Sequence, residues 1–375
     1  RLVLIETTGM QRRGTAKSFL RALQLGGLDY GDRCDVESLD AEDNLEAVRI
    51  ALRRAFGKYP SAEWIANITG GTKPMSIATF EFFKATAGRV VYTNFTRPNV
   101  LLGLDSTTEE TCDHKLSIDE FLAGYGFESR RAENKIREAE ARAGRWAPCA
   151  RLLARYASSQ ELLPLADDDR HKARQRGWEL QVGQLWLPPC DVDLVRAVRD
   201  AFSLQGNGSG DALHGHIDKY AVEFLTGGWL EVFFWDLLSR HADALGIWDV
   251  RLGLEVGRSG DSAAPNEFDV SFMRQYSLGI IECKSGPQAH DPGGDVLHKV
   301  EAVTRQFRAL RVRSYLATTG NNILDKDGNV KSSVKDRASI YNCRVITGAE
   351  IRQIAEADGS PDVIGRLLFA PAEAA

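Results

Sequence analysis

Apolar and polar positions in the first hundred residues alternate between two spacings, one typical of strands and the other typical of helices. Short apolar or alternating segments predict five strands, over residues 2–5, 33–39, 63–68, 89–94 and 99–103. Apolar residues at helical spacing predict helices between them, over residues 14–25, 42–56 and 74–87. Asp43 and Glu46 are expected to form a capping box at the start of the second helix. Strands separated by helices are typical of an α/β domain with a parallel, Rossmann-like sheet.

A second organised region begins near residue 217. Its first helical pattern, over 220–238, contains Gly227-Gly228, where we expect the helix to break or kink. Strands are predicted after it, over residues 248–256, around Asp269 and Glu282, and over 313–318 and 343–347. A further helix is expected over 295–310. This region is therefore also predicted to be α/β.

The segment between these regions has a weaker pattern. It predicts a charge-rich, solvated helix over 130–145, a second helix over 149–165, and a hairpin of strands 178–182 and 184–187. We therefore divide the chain into residues 1–128, a helical connector over 129–215, and residues 216–375. The sequence assigns the connector no chemical role beyond linking the other two parts.

Charged side chains interrupt the apolar strands of the second region at a regular spacing. Glu282 and Lys284 point to one face of a strand, and Asp269 reaches that face if the two strands form a hairpin. Carboxylate oxygens are the ligands that Mg²⁺ and Mn²⁺ prefer, and a nearby cation stabilises the charge that develops when a phosphodiester is attacked. The alternative is an ordinary surface hairpin with a cross-strand ion pair. The apolar pair Ile280-Ile281 favours the first interpretation, because it places these charges against a core.

Together, these residues resemble the core of the PD-(D/E)XK nucleases. The pattern is Asp269, then Glu282-Cys283-Lys284, with Glu231 as the acid on the first helix of an α-β-β-β-α-β order. Many members of that superfamily have proline before the aspartate, where this chain has Phe268. The resemblance implies metal-dependent phosphodiester cleavage by Glu231, Asp269, Glu282 and Lys284, with Mn²⁺ or Mg²⁺ held by the three acids. His298 and Lys299, on the helix expected over 295–310, are interpreted as part of a solvated helix face.

A glycine-containing turn follows the predicted strand 63–68. Gly70 and Gly71 allow a close approach of backbone to a ligand, Thr72 suits a helix N-cap, and Lys73 adds a positive charge at the positive end of the helix. The spacing is neither that of a P-loop nor that of G-x-G-x-x-G. The turn therefore predicts an anion-binding site, with a plain strand-to-helix turn as the alternative.

The string Gly70-Gly71-Thr72-Lys73-x-Met75 in a Rossmann-like domain resembles the CARF (CRISPR-associated Rossmann fold) family, which senses cyclic oligoadenylates. The resemblance implies ligand contacts from two loops: Thr8, Gly9, Met10 and Gln11, and Gly70, Gly71, Thr72, Lys73 and Met75. It also implies a homodimer with a two-fold pocket, and it favours cyclic tetra-adenylate as the ring. The chain is thus expected to be a nuclease of type III CRISPR defence that a cyclic oligoadenylate activates.

Two alternatives remain open at this stage. In the first alternative, the nuclease-like domain is an inactive scaffold and the chain is a ligand-binding regulator. In the second alternative, the sensor domain itself slowly cleaves the bound ring. The sequence leaves DNA and RNA both open as substrates.

Composition adds three constraints. The formal net charge of −5 gives no chain-wide basic field, so a nucleic acid must bind at a local groove. The six cysteines are scattered and form no C-x-x-C pair, which favours a reducing cytoplasm over a disulfide framework. No apolar run approaches the length of about 20 residues that a membrane span needs, so no membrane partner is expected.

Overall fold

Residues 1–128 and 258–262 form one unit of the computed structural model, and residues 129–257 and 263–375 form the other. The segment 129–215, expected to be a connector, thus belongs to the second unit. The structure describes residues 1–94, 96–104, 106–159, 167–181, 187, 191–206, 213–286, 312–357 and 359–369. The helix expected over 295–310, with His298 and Lys299, lies outside the described residues.

The first unit contains strands and helices in alternation along most of its length. Its strands are β1 (Leu2–Thr7), β2 (Cys34–Leu39), β3 (Ile65–Asn67), β4 (Arg89–Asn94), β5 (Arg97–Gly103) and β6 (Glu109–Thr111), and β7 (Phe127–Ser129) lies at the boundary. Its helices are α1 (Thr8–Arg13), α2 (Thr15–Leu25), α3 (Leu45–Lys58), α4 (Lys73–Ala85) and α5 (Ile118–Gly124), with a 3₁₀ turn at Gly31–Arg33.

Strand pairing in the first unit is parallel only in part. β1 pairs with β2 and β3 pairs with β4 in parallel, whereas β4–β5 and β5–β6 are antiparallel. The parallel pairs agree with the predicted Rossmann-like sheet, whereas β5 and β6 are antiparallel additions to it. β5 is antiparallel to β4 because the connection between them is short, and a connection this short joins neighbouring strands only in antiparallel orientation.

Helix α3 shows how the local sequence sets an element of this unit. Its N-cap is Asn44, whose side chain accepts hydrogen bonds from the backbone amides of Glu46 and Ala47, so the expected capping box from Asp43 is wrong. Its buried face includes Val48 and Leu52. These side chains join a core with buried residues from the strands and from α4: Leu39, Ala66, Ala78, Phe83 and Val90.

The second unit combines a central sheet with a larger number of helices. Its helices are α6 (Glu133–Ala154), α7 (Asp167–Arg176), α8 (Val192–Ala201), α9 (Lys219–Glu223), α10 (Trp229–Arg240), α11 (Ala242–Leu245), α12 (Ser332–Ile340), α13 (Gly348–Glu356) and α14 (Pro361–Phe369). A π-helical turn, Phe224–Gly228, joins α9 to α10, and a 3₁₀ turn lies at Asn321–Ile323. Its strands are β8 (Trp178–Gln181), β9 (His214–Ile217), β10 (Ile247–Arg258), β11 (Asn266–Arg274), β12 (Ser277–Lys284), β13 (Val312–Thr318) and β14 (Cys343–Ile346).

The central sheet has the strand order β14-β13-β12-β11-β10. β10, β11 and β12 are antiparallel neighbours, whereas β12, β13 and β14 run parallel. Val270 on β11 pairs with Ile281 on β12, and both belong to a core to which α6 and α10 contribute most of their buried residues. Three consecutive strands after α10, followed later by β13, agree with the predicted succession of strands along the chain. The helix predicted between β12 and β13 lies outside the described residues.

One expectation for residues 129–215 is wrong. A single helix, α6, continues through Pro148, where the sequence predicted one helix ending and a second beginning. Trp146 is 9% exposed and its ring lies 5.2 Å from that of Phe224, centroid to centroid. Burial of this face stabilises the helix against the local cost of proline, which is about 3 kcal/mol in a helix interior.

β8 pairs with β9 in antiparallel orientation. Most of the second strand of the predicted hairpin, residues 184–186, lies outside the described residues.

Across the part of the chain that the structure describes, the helices are too short or too polar to span a bilayer.

Candidate active site

The carboxylates of Asp269 and Glu282 meet where β11 and β12 begin to separate. Val270 pairs with Ile281, so Asp269 and Glu282 occupy the next positions outward on the two strands. The apolar residues on either side keep this end of the hairpin in the core. The Glu282 side chain is 4% exposed, and that of Asp269 is 13% exposed. Burial of two neighbouring carboxylates is costly unless cations or hydrogen-bond donors compensate them.

Lys284 supplies much of that compensation. Its Nζ donates to Glu282 Oε1 at 2.6 Å and to the Cys283 carbonyl at 3.2 Å, and it lies 3.8 Å from Asp269 Oδ2. Burial alone would lower the pKa of Lys284, but the negative charges of Asp269 and Glu282 raise the pKa overall. Lys284 therefore carries its positive charge at neutral pH.

The backbone also fixes Asp269. The amide of Cys283 donates to Asp269 Oδ2 at 2.7 Å, so the carboxylate of one strand is bound to the main chain of the next. The amide of Thr319 donates to the Lys284 carbonyl at 3.1 Å and extends the parallel pairing of β12 with β13 to this point. The side chains at the ends of these strands are thus held on rigid elements.

Glu231 lies in the first turn of α10, at the side of this cluster. Burial, and then the negative charge of Asp269, raise the pKa of Glu231 to about 8, against the opposing attraction of Lys284. Glu282 also contributes to this electrostatic effect. The structure therefore brings together all four residues that the sequence predicted as catalytic. Asp269, Glu282 and Lys284 are in close contact, and Glu231 interacts with them through charge.

The donor atoms of the cluster fit a hard divalent cation. Two carboxylates and the Cys283 carbonyl converge on one positively charged group, the Lys284 ammonium, and all are oxygen donors of the kind that Mg²⁺ and Mn²⁺ prefer. Among the described residues, no group of three or more His, Cys, Asp or Glu side chains is arranged to hold a metal. Metal binding by Asp269, Glu282 and Glu231 therefore stays a prediction.

The first predicted ligand loop is helical in the structure. Thr8, Gly9, Met10 and Gln11 form the start of α1, where the sequence predicted a loop, because the Thr7 side chain accepts from the Met10 amide at 3.3 Å and caps the helix. The side chain of Gln11 donates to Ser38 Oγ at 2.7 Å, at the end of β2.

The second predicted loop has the expected geometry. Gly71 has a φ of 89°, a left-handed conformation that favours glycine. Thr72 is the N-cap of α4, and its hydroxyl donates to the Glu42 carbonyl at 2.8 Å. Gly70, Gly71 and Lys73 are exposed, whereas Met75 is half-buried. Gln11 contacts the end of β2 and Thr72 contacts Glu42, four residues after Ser38, so the two predicted loops lie at the same end of the first unit.

Sequence reasoning missed one feature beside the catalytic cluster. The break at Gly227-Gly228 was expected, and it is confirmed as a π-helical turn in which Gly227 has φ 157° and ψ −36°. The sequence did not show that this turn contacts Ser285, directly after Lys284. The only signal was the pair of glycines inside an otherwise apolar helix.

Two family matches cover most of the chain. Residues 1–121 match the Card1 CARF domain, and residues 218–354 match the Card1-like endonuclease domain. No curated protein sequence gives a significant match.

Solved structures with the same architecture are distant in sequence. One is Can2 from Sulfobacillus thermosulfidooxidans in complex with cyclic tetra-adenylate, with a TM-score of 0.65 and 19% identity, covering 95% of this chain and 91% of that one. Another is protein VC1899 from Vibrio cholerae, with a TM-score of 0.69 and 18% identity, covering 95% of this chain and 90% of that one. At this identity the likeness establishes the fold. With both domains matched in order along the sequence, the chain belongs to the family of proteins that join a Card1-type CARF domain to a Card1-like endonuclease domain.

Proposed function

We propose that this endonuclease is metal-dependent and that a cyclic oligoadenylate bound to its CARF domain activates it. The observation that carries the proposal is the contact of Asp269, Glu282 and Lys284 at the end of the β11–β12 hairpin. An ordinary surface ion pair does not require two nearly buried carboxylates, and a buried pair of acids beside one lysine is suited to holding a cation.

The catalytic roles follow from position. Asp269, Glu282 and the Cys283 carbonyl would hold the cation, which would polarise the phosphodiester and lower the pKa of the attacking water. The Lys284 ammonium stabilises the negative charge that develops on the phosphate oxygens. The side chain of Glu231 accepts a hydrogen bond from the attacking water through a carboxyl oxygen and orients it.

Lys284 now occupies the place that a metal ion would take beside Asp269 and Glu282, so it would have to move when a metal binds. Its ammonium now contacts the same three oxygen donors that a divalent cation needs. A divalent cation held by these donors would repel the Lys284 ammonium from them. The lysine charge would then be available to the phosphate oxygens.

The sensor site uses the exposed residues at the end of the first unit. Backbone amides at the start of α4 and the charge of Lys73 bind the phosphates of the ring, and the Gly70-Gly71 turn permits its close approach. Thr8, Gly9, Met10 and Gln11 contact the ring from α1. Can2, which shares the fold, was solved with cyclic tetra-adenylate, and this supports the same ring for the present chain. Two chains form a homodimer around the two-fold ring.

The substrate is DNA, RNA or both, recognised through its backbone without a base-specific signature. The protein acts in type III CRISPR defence. All five cysteines within the described residues are free thiols, which supports a location in the reducing cytoplasm.

Cleavage assays test the proposal directly. Plasmid DNA and labelled single-stranded RNA are incubated with Mn²⁺ or Mg²⁺, with and without cyclic tetra-adenylate. Cleavage is expected only with both metal and ring present, and Glu282→Ala is expected to abolish it without weakening ring binding. Cleavage with metal alone would refute the switch, and loss of ring binding in Glu282→Ala would refute the division into sensor and nuclease.

A further inference from the structure

The π-helical turn Phe224–Gly228 lies between α9 and α10, and the chain is kinked there at Gly227. Single π-helical turns are frequent at functional sites. Gly227 adopts φ 157° and ψ −36° inside this turn, a conformation that residues with a side chain rarely adopt. Glu231 follows four residues later, in the first turn of α10.

The turn approaches the end of β12 closely. A Cβ atom placed on Gly227 would lie 2.6 Å from Ser285 Oγ, which is closer than side chains approach one another. Ser285 directly follows Lys284, so the backbone at Gly227 is in contact with the strand end that carries the catalytic lysine. Glycine at 227 is therefore favoured by its backbone angles, and a side chain there would have to displace the Ser285 hydroxyl.

A second contact holds the turn from helix α7. Arg174 Nη2 donates to Thr226 Oγ1 at 3.1 Å, and the same hydroxyl donates to the Glu223 carbonyl at 3.3 Å. Thr226 is 3% exposed, whereas Arg174 is exposed. Arg174, from the segment 129–215 to which the sequence assigned no chemical role, thus holds Thr226, the residue next to Gly227.

The geometry gives the turn a measurable consequence for Glu231. Because Gly227 has non-helical angles, the direction and rotation of α10 relative to α9 are set at this residue. Glu231 lies in the first turn of α10, so a change in these angles would displace its carboxylate relative to Asp269 and Lys284.

We propose that the π-helical turn aims Glu231 at the catalytic cluster, and that Gly227 and Arg174 are positioning residues for cleavage. This inference depends on the proposed function, in which Glu231 acts on the attacking water. Gly227 acts through its contact with Ser285, and Arg174 acts through the hydroxyl of Thr226.

The first test compares two adjacent glycines in the full-length protein with metal and cyclic tetra-adenylate present. Gly227→Ala is expected to lower kcat by about 30- to 100-fold with KM changed by less than about threefold, because small displacements of a catalytic group cost rate rather than binding. Gly228→Ala is the matched control, since Gly228 has the helical angles φ −62° and ψ −13°. Its Cβ would lie 3.3 Å from the Glu223 carbonyl, a distance that a small shift relieves. A wild-type kcat for Gly227→Ala would overturn the proposal.

The second test uses an exposed residue, so that it stands even if Gly227→Ala fails to fold. Arg174→Ala removes one hydrogen bond and is expected to lower kcat by about three- to tenfold. Lys172→Ala, exposed on the same helix, is the control and is expected to leave kcat unchanged. A salt-dependent rise in KM for Arg174→Ala, with kcat unchanged, would show a nucleic-acid contact instead and would overturn the positioning role.

Coupling to Glu231 separates positioning from a general structural effect. In single-turnover assays, Gly227→Ala and Arg174→Ala are expected to cost less than about twofold in a Glu231→Gln background, because the group that they position is already absent. The same loss in both backgrounds would overturn the proposal. If Asp269→Asn and Glu282→Gln still cleave, the proposed function fails. If they do not cleave while the positioning variants keep a wild-type kcat, this inference alone fails.

Discussion

Replacing Glu231 by glutamine is expected to stabilise the metal-free protein while it impairs cleavage. Glutamine keeps the shape of the side chain and removes its negative charge. Burial and the charge of Asp269 raise the pKa of Glu231 from 4.5 to about 8, so the ionised form is unfavourable in the folded state. In the proposed mechanism this group is needed for cleavage, although its burial lowers stability.

The sign of the pH dependence follows from linkage. Between pH 4.5 and about pH 8 the folded state holds a proton on Glu231 that the unfolded chain has already released. The stability of the wild type therefore falls as the pH rises through this window, relative to a variant that cannot titrate at position 231. The stability difference between Glu231→Gln and wild type grows from pH 5 to pH 8 and then becomes constant.

The size of the difference has an upper limit set by the pKa. One pKa unit corresponds to about 1.4 kcal/mol, so the full change would be worth about 5 kcal/mol above pH 8. Relaxation around the charge and access of water reduce this, and we expect about 1 to 3 kcal/mol at pH 8. For a unit of this size, that is an increase in Tm of about 2 to 10 °C.

Thermal and urea unfolding in EDTA at pH 5, 6, 7 and 8 measure this difference. Glu223→Gln is the matched control, because Glu223 is an exposed carboxylate on the same helical path. The control is expected to show no difference that grows with pH. If Glu231→Gln is less stable than wild type at pH 8, or the difference stays constant with pH, Glu231 does not lie in the buried, negatively charged environment described above.

Three further variants test separate parts of the protein. Lys284→Ala should lower cleavage by about 100-fold while Mn²⁺ binding measured by calorimetry persists, because the two carboxylates remain; loss of Mn²⁺ binding would contradict this. Lys73→Ala should weaken cyclic tetra-adenylate binding by about tenfold with no change for Lys84→Ala on the same helix, and equal effects of the two would contradict a specific phosphate contact. Trp146→Ala should destabilise the second unit by about 3 to 5 kcal/mol, since its ring packs against Phe224, and a loss below about 1 kcal/mol would mean that α6 is not part of that core.

The sequence predicted the catalytic cluster because strand periodicity decides which side chains share a face. The spacing of Glu282 and Lys284 places them together on any strand, and the structure confirms their contact. Asp269 depended on the hairpin register, which the apolar residues Val270 and Ile281 fix by pairing in the core. These are local patterns, and local patterns are what a single sequence expresses most clearly.

The features that were not predictable depend on contacts distant in sequence. Pro148 predicted a helix boundary, and only the packing of Trp146 on Phe224, 78 residues away along the chain, explains why α6 continues. The pairing of β8 with β9 also joins segments far apart in sequence. The start of α1 is the exception, since the capping hydroxyl of Thr7 was visible in the sequence and the loop was nevertheless expected to be irregular.

The central claim is that one chain joins a cyclic-oligoadenylate sensor to a metal-dependent nuclease whose cluster contains Asp269, Glu282 and Lys284. The most direct test measures nucleic-acid cleavage by wild type and by Glu282→Gln, each with Mn²⁺, with and without cyclic tetra-adenylate, while ring binding is measured on the same samples. The account predicts cleavage only by wild type with both metal and ring, and equal ring binding by the two proteins. Cleavage by Glu282→Gln at the wild-type rate, or ring-independent cleavage by wild type, would contradict it.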